Sequence, residues 1–189
     1  MMGSRSRLAI ALIVAAIFAL TLAACGASGG STTSDGSTAG ESPAAEANKK
    51  AKQEFNSSKS KVPKFGQEAS VGEREAASAV LAENLQARGA KDWARQCASL
   101  SKAQAKAFAE RATYYHVGKT CAKGLEREGK SAPAAVFVDT MTDPIVALRV
   151  KGKKGYALYH GNDGKNYAMP MELEGDEWKV AEVVTTEIP

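Results

Sequence analysis

The residues best suited to metal binding or nucleophilic chemistry are few: three cysteines and two histidines in a chain of 189 residues. His116 and His160 have no acids or cysteines clustered at the spacing of zinc ligands. The chain also lacks a Cys-x-x-Cys pair, a Gly-x-Ser-x-Gly turn, a phosphate-binding glycine loop and a dinucleotide fingerprint. The sequence therefore predicts neither a metal site nor a cofactor, and it contains no motif that requires catalysis.

Cys25 ends an apolar leader. Arg5 and Arg7 precede the uncharged run 8–24, a pattern typical of a secretory signal peptide. A transmembrane anchor is the alternative, because about 17 apolar residues lie at the lower edge of spanning length. Leu22-Ala23-Ala24-Cys25 resembles a bacterial lipobox, which implies cleavage before Cys25 and acylation of its thiol. We therefore expect an acylated Cys25 to anchor the chain to the lipid bilayer on the extracytoplasmic face, at a cell surface or in a periplasm.

Cys97 and Cys121 are the two cysteines that remain once Cys25 is assigned to lipidation. Export would place them in an oxidising compartment, and both lie near apolar positions of a helical region. We expect a disulfide between them, closing a loop of about 25 residues and contributing about 3 kcal/mol in the chain-entropy model. A buried free pair and a reactive thiol are the alternatives.

The charge balance argues against a nucleic-acid partner. The whole chain has 25 basic and 21 acidic side chains, whereas residues 68–189 have 17 of each. The positive excess therefore lies in the leader and in the segment that follows it. Since nucleic-acid binders concentrate basic residues on their folded part, we expect no nucleic-acid binding.

Residues 25–67 are expected to form a flexible, low-complexity tether. They are rich in Gly, Ser, Thr and Ala, with almost no large apolar residue before Phe55. Such a composition cannot bury enough surface to offset the entropy of ordering. The predicted organisation is a lipoprotein signal peptide over 1–24, a lipidated tether over 25–67 and a single domain over 68–189.

Helical patterns fill the first half of the predicted domain. Ser70 and Glu73 have the spacing of a capping box, and apolar residues at helical intervals follow them. A second helix fits residues 91–99, a third begins after a cap at Ser101, and a fourth fits residues 120–128. The N-terminal half of the domain is therefore predicted to be helical.

The second half of the predicted domain is expected to form strands, because its apolar residues recur at every second position. The predicted strands are 134–141, 145–151, 155–160, 166–174 and 177–185, separated by turn-forming residues. Pro170 predicts a bulge or an edge within its strand. Helices followed by antiparallel strands indicate an α+β fold in which N-terminal helices pack on one face of a curved antiparallel sheet.

Two parts of the sequence resemble the nuclear-transport-factor-2-like superfamily. The first is Lys91-Asp92-Trp93-Ala94, followed by a cysteine and Ser-x-x-Gln; the second is the closing hairpin 171–180, which contains Gly-Asp-Glu-Trp-Lys-Val. The whole chain is similar to actinobacterial lipoproteins with a lipobox, a low-complexity tether and one such domain. The resemblance covers about residues 68–186. It implies a cystatin-like cone whose open end often forms an apolar pocket.

The resemblance also implies where a ligand or substrate would lie. The sheet residues expected to line a pocket are Tyr156, Tyr159, Tyr167, Met169, Met171 and Trp178, with core packing as the alternative for each. Ketosteroid-isomerase-like relatives need a base and an oxyanion donor in an apolar cavity. Asp139 or His160 is the candidate base, and Tyr114, Tyr115 or Tyr159 is the candidate donor. No motif aligns these residues with catalytic residues of the family, and a solvated turn is the alternative for Asp139.

The sequence thus favours a membrane-anchored, non-enzymatic module that binds a small apolar ligand or an envelope protein. A ketosteroid-isomerase-like enzyme on the same fold is the first alternative, and an accessory factor in cell-envelope assembly is the second. Domains of this shape also associate through the sheet, so a homodimer is a further expectation.

Overall fold

The helices follow the caps and apolar spacings of the sequence. The computed structural model describes residues 43–138 and 140–189, so the expectations for residues 1–24, Cys25 and Asp139 lie outside the described residues. The described residues belong to one compact unit. Helices α1 to α6 are Pro43–Ser57, Val71–Gly89, Trp93–Ser99, Lys102–Tyr114, Cys121–Gly129 and Ala135–Val138.

Both predicted N-caps are present. Ser70 Oγ accepts a hydrogen bond from the Glu73 amide at 3.3 Å, and the Glu73 carboxylate accepts one from the Ser70 amide at 2.9 Å. This reciprocal pair is a capping box at the start of α2. Ser101 Oγ accepts from the Gln104 amide at 3.2 Å and caps α4. Each cap satisfies backbone donors that have no partner inside the helix.

The strands form an antiparallel sheet, which confirms the α+β class. Strands β1 to β6 are Gln67–Glu68, Ala147–Lys151, Lys154–His160, Asn166–Glu174, Glu177–Val180 and Thr186–Ile188. Their order is β1-β2-β3-β4-β5, and β6 pairs with β4. All the paired strands run antiparallel. Hairpins therefore connect β2, β3, β4 and β5 in chain order.

Pro170 lies where β4 changes its outer partner. On one side it is opposite Tyr156 of β3. On the other side β6 pairs with residues 166–168 of β4 and β5 pairs with residues 171–174. The Pro170 carbonyl accepts from the Ala181 amide at 2.9 Å, so its missing N–H falls in the gap between β6 and β5. Pro170 therefore lies at a break between two outer partners of an interior strand rather than at an edge of the sheet.

Helices α2 to α5 cover one face of the sheet and bury the main core. Ala77, Leu81 and Leu85 of α2 and Phe108 of α4 are at most 1 % exposed. They belong to one cluster with inward side chains of β2, β3, β4 and β5. We call this side the helical face. The apolar residues predicted to recur along α2 are the ones that pack this helix against the sheet.

Helix α1 packs against the opposite face. Phe55 is 1 % exposed and lies in a separate, smaller cluster with apolar residues of β2, β3, β4 and β6. Lys52 forms an ion pair with Glu68 of β1. We call this side the α1 face. The packed region therefore begins before residue 68, since residues 43–67 contribute α1, a 3-10 turn at Val62–Lys64 and Gln67 of β1.

Two strand predictions are wrong in their details. Residues 134–141 contain the short helix α6, with one isolated bridge at Met141 to Gly161. A short apolar run cannot be assigned to strand or helix from its period, and Pro133 begins a helical turn here by accepting from the Val136 amide at 3.0 Å. The predicted strand 177–185 ends at Val180, because the ladder with β4 cannot continue past Pro170.

Candidate functional site

A cleft of about 860 Å³ lies where α1, α2 and the segment before β2 meet. Its lining residues come from α1, from α2, from residues 141–146 and from the end of β3: Ala47, Asn48, Ala51, Arg74, Glu75, Ser78, Ala79, Ala82, Met141, Thr142, Asp143, Pro144, Ile145, Val146 and His160. This volume is in the range of small-molecule sites. We call it the α1–α2 cleft.

Small side chains form the helical walls of the cleft. Ala47 and Ala51 lie one turn apart on α1, and Ala79 and Ala82 lie one turn apart on α2. Alanines at this spacing line one side of each helix and fill little of the space between the two helices. Apolar side chains of the segment 141–146 complete the wall. Its backbone is tied to α2, because the Ile145 amide donates to Ser78 Oγ at 3.1 Å.

His160 is held in one orientation at the cleft. Asn166 Nδ2 donates to Glu54 Oε1 at 2.9 Å, so Asn166 Oδ1 is the acceptor that lies 2.7 Å from His160 Nδ1. Nδ1 therefore carries the hydrogen, and Nε2 of the neutral ring keeps its lone pair. The Phe55 ring packs beside the imidazole, with 5.3 Å between ring centroids. In this tautomer Nε2 of His160 is a hydrogen-bond acceptor.

The other polar groups of the cleft are diverse. Asn48 Oδ1 is buried without a hydrogen-bond partner in the part of the chain that the structure describes. Arg74 is half-buried and forms no ion pair with a described residue. Glu75 and Asp143 lie at the exposed border. An apolar space with a few unused polar groups suits a ligand that has an apolar body and a polar end.

The six predicted pocket residues do not line this cleft. Tyr159, Met169, Met171 and Trp178 are at most 2 % exposed and are packed in the core under the helices. Side chains of α2 fill the space beside these four residues, so each has the core packing that was the alternative to a pocket.

The other two predicted residues, Tyr167 and Tyr156, lie on opposite faces of the sheet. The Tyr167 ring stacks on Tyr159 at the main core, with 5.6 Å between ring centroids. Tyr167 donates its hydroxyl to Asp163 Oδ2 at 2.7 Å, and this hydrogen bond lowers the pKa of the Asp163 carboxyl. Tyr156 is on the α1 face, where its ring and the Phe65 ring pack edge to face with 5.0 Å between their centroids. The set is therefore divided between the two faces of the sheet.

Among the candidate catalytic residues that the structure describes, Tyr115 and His160 lie on opposite faces of the sheet. Asp139 lies outside the described residues. Tyr115 is the C-cap of α4 on the helical face, and the guanidinium carbon of Arg127 lies 3.2 Å from the centroid of its ring. His160 is on the α1 face. The sequence identified His160 but not its partner Asn166, nor Glu54, which accepts from Asn166. These side chains meet only through the pairing of β4 with β3 and the docking of α1.

The predicted disulfide between Cys97 and Cys121 is confirmed. It joins α3 to the start of α5 on the helical face. Within the described ranges there is no group of three or more His, Cys, Asp or Glu residues that could hold a metal ion. Among the same residues, no helix is long and apolar enough to cross a membrane.

Comparison with protein-family models, with curated proteins and with solved structures finds no match for this chain.

Proposed function

We propose that this chain is a membrane-anchored extracytoplasmic lipoprotein that binds a small ligand in the α1–α2 cleft. The observation that carries the binding proposal is one cleft with alanine walls, an oriented His160 and an Arg74 that forms no ion pair with a described residue. The ligand has an apolar body and one polar or negatively charged end. The body would contact the alanine walls, and the end would lie near His160 or Arg74.

The lipid anchor is supported by the sequence alone. Arg5, Arg7, the uncharged run 8–24 and Leu22-Ala23-Ala24-Cys25 have the order that a lipoprotein signal requires. Mass spectrometry of the protein extracted from membranes is expected to give a chain that begins at Cys25 and carries acyl chains. The variant Cys25→Ser is expected to keep residues 1–24. A processed but unacylated chain would contradict the anchor without affecting the cleft.

The finer architecture is also part of the proposal. A nuclear-transport-factor-2-like cone is supported by helices that precede an antiparallel meander and by the hairpin of β4 and β5, which carries Gly175-Asp176 at its turn. The cleft lies at the border of α1 and α2, so ligand binding does not depend on an open end of such a cone.

Anilinonaphthalene sulfonate, which has an apolar body and one negative charge, is a suitable probe for the cleft. We expect it to bind the folded protein with an increase in fluorescence. Ala82→Trp fills the cleft from α2 and is expected to remove this signal. Ala76→Trp is the matched control, because Ala76 is exposed on the same helix and does not line the cleft.

Arg74→Gln tests the charged end of the probe and is expected to weaken binding by about tenfold, as the loss of one charge-assisted contact would. Equal signals from Ala82→Trp and Ala76→Trp would show that the probe binds elsewhere and would contradict the proposal. Circular dichroism of each variant checks that the fold is retained.

A further inference from the structure

The turn between α4 and α5 carries most of the exposed large apolar side chains. Tyr114 is 75 % exposed, Tyr115 43 % and Val117 41 %. Elsewhere among the described residues, only Val71 and Val184 are large, apolar and exposed. We call residues 114–119 the α4–α5 tip. A group of exposed aromatic and aliphatic side chains on one turn marks a contact surface.

The backbone of the tip holds these side chains outward. The amides of Tyr115, His116 and Val117 donate to carbonyls at the end of α4 at 3.0–3.1 Å. His116 has a φ of 55°, a left-handed conformation that residues with a side chain rarely adopt. The disulfide at Cys121 fixes the start of α5 just after the tip. The exposure of the rings is therefore a property of the folded structure.

The helices beside the tip carry an excess of positive charge. Residues 102–130 contain seven basic and three acidic side chains, whereas residues 68–189 as a whole are balanced. Each of the three acids already has a basic partner within this segment: Glu110 with Lys106, Glu126 with Lys123 and Lys130, and Glu128 with Arg111. Lys102, Lys119 and Arg127 therefore have no acidic partner within this segment.

Two of the unneutralised cations are Lys119 of the tip and Arg127 of α5, which contacts the tip. Lys119 is exposed, and neither Lys119 nor Arg127 forms an ion pair with a described residue. Arg127 lies over the Tyr115 ring, so a cation and an aromatic surface are presented together. The partner that this surface fits is negatively charged and accepts aromatic rings.

We propose that the α4–α5 tip docks on the surface of an anionic phospholipid bilayer. Tyrosine rings partition to the headgroup level of a bilayer, and nearby lysine and arginine are attracted to anionic lipids. A bilayer accepts a small tip without a complementary pocket, whereas a stable protein interface buries about 800 Å² on each partner. The proposal depends neither on the α1–α2 cleft nor on acylation of Cys25.

Vesicle co-sedimentation of residues 26–189 tests the docking. This chain lacks the leader and Cys25 but contains the whole compact unit with its cores and disulfide. We expect binding to vesicles of equal parts phosphatidylcholine and phosphatidylglycerol, and at least tenfold weaker binding to phosphatidylcholine alone. Lys119→Glu is expected to weaken binding by about tenfold, because it removes one attraction and adds one repulsion. Tyr114→Ser is also expected to weaken it.

Matched variants separate the tip from general charge and hydrophobicity. Lys153→Glu makes the same charge change in the exposed turn between β2 and β3, and Val184→Ser removes an apolar side chain that is 71 % exposed. Both are expected to bind like the unmodified chain. Failure to bind anionic vesicles, or equal losses from Lys119→Glu and Lys153→Glu, would overturn the proposal. Binding to an acidic protein with no vesicle binding would also overturn it.

Discussion

The two faces of the sheet are covered in different ways. The helical face has four helices, a contiguous core and a disulfide between α3 and α5. The α1 face has one helix, a smaller cluster around Phe55 and polar contacts such as Asn166 with Glu54. The same strands therefore support a heavily packed layer on one side and a lightly attached helix on the other. The α1–α2 cleft lies beside the lightly attached helix, where a ligand could change the packing at the least cost.

The largest effect is expected from the helical face. Leu81 is 0 % exposed, at the middle of the apolar side of α2. Leu81→Ala is expected to lower the free energy of unfolding by about 3–4 kcal/mol, because it loses buried surface and leaves a cavity. Urea denaturation measures this change. A loss below about 1 kcal/mol would show that the helical face is less tightly packed than the structure indicates.

A smaller and more local effect is expected from the α1 face. Phe55→Ala removes the main apolar contact of α1 and is expected to cost about 2 kcal/mol, because α1 can detach while the helical face stays folded. Hydrogen exchange is expected to show faster exchange in residues 43–57 and unchanged protection in α2. If α2 lost protection equally, the two faces would unfold as one unit and the contrast would be wrong.

The smallest effect concerns acid. The hydrogen bond and ion pair with Arg95 lower the pKa of the Glu83 carboxyl below its ordinary value of 4.5. A lowered pKa in the folded state stabilises the protein above pH 4.5, and this contribution is lost as the pH falls through the lowered pKa. Both residues are on the helical face, linking α2 to α3. Glu83→Gln is therefore expected to reduce the acid dependence of urea midpoints measured between neutral pH and pH 3 or so.

A matched change on the same helix controls for this result. Glu75→Gln removes an exposed carboxylate of α2 that forms no ion pair with a described residue, and it is expected to leave the acid dependence unchanged. An identical pH profile for Glu83→Gln and the unmodified chain would contradict a role for the Arg95 pair.

The predictable parts of the fold depend on local signals. The cap at Ser70, the apolar spacing of α2 and the turns of the β-hairpins are each determined within a few residues, so sequence patterns identify them. The Cys97–Cys121 disulfide is also predictable from the sequence, because only two cysteines remain once Cys25 is assigned to lipidation. These features describe mainly the helical face and the sheet.

The unpredicted parts depend on contacts between distant segments. Helix α1 is polar in composition, and a single large side chain, Phe55, decides its docking. The cleft arises from the separation of two alanine-walled helices, which no local pattern specifies. The inward residues Met169 and Met171 have the period of a lined pocket, but the same period describes a core that α2 fills. The alternation of apolar residues predicts which face of the sheet a side chain is on, but it does not predict whether another element covers that face.

The position of α1 has a mechanical consequence. Any tension on the chain N-terminal to Pro43 is transmitted first to α1, which carries one wall of the α1–α2 cleft at Ala47, Asn48 and Ala51. Pulling α1 away would open the cleft and release its contents before the helical face bore load. A bound molecule that bridges α1 and α2 would in turn raise the force at which α1 detaches. A molecule bound in the cleft and a force on the chain would thus shift the same equilibrium, between attached and detached α1, in opposite directions.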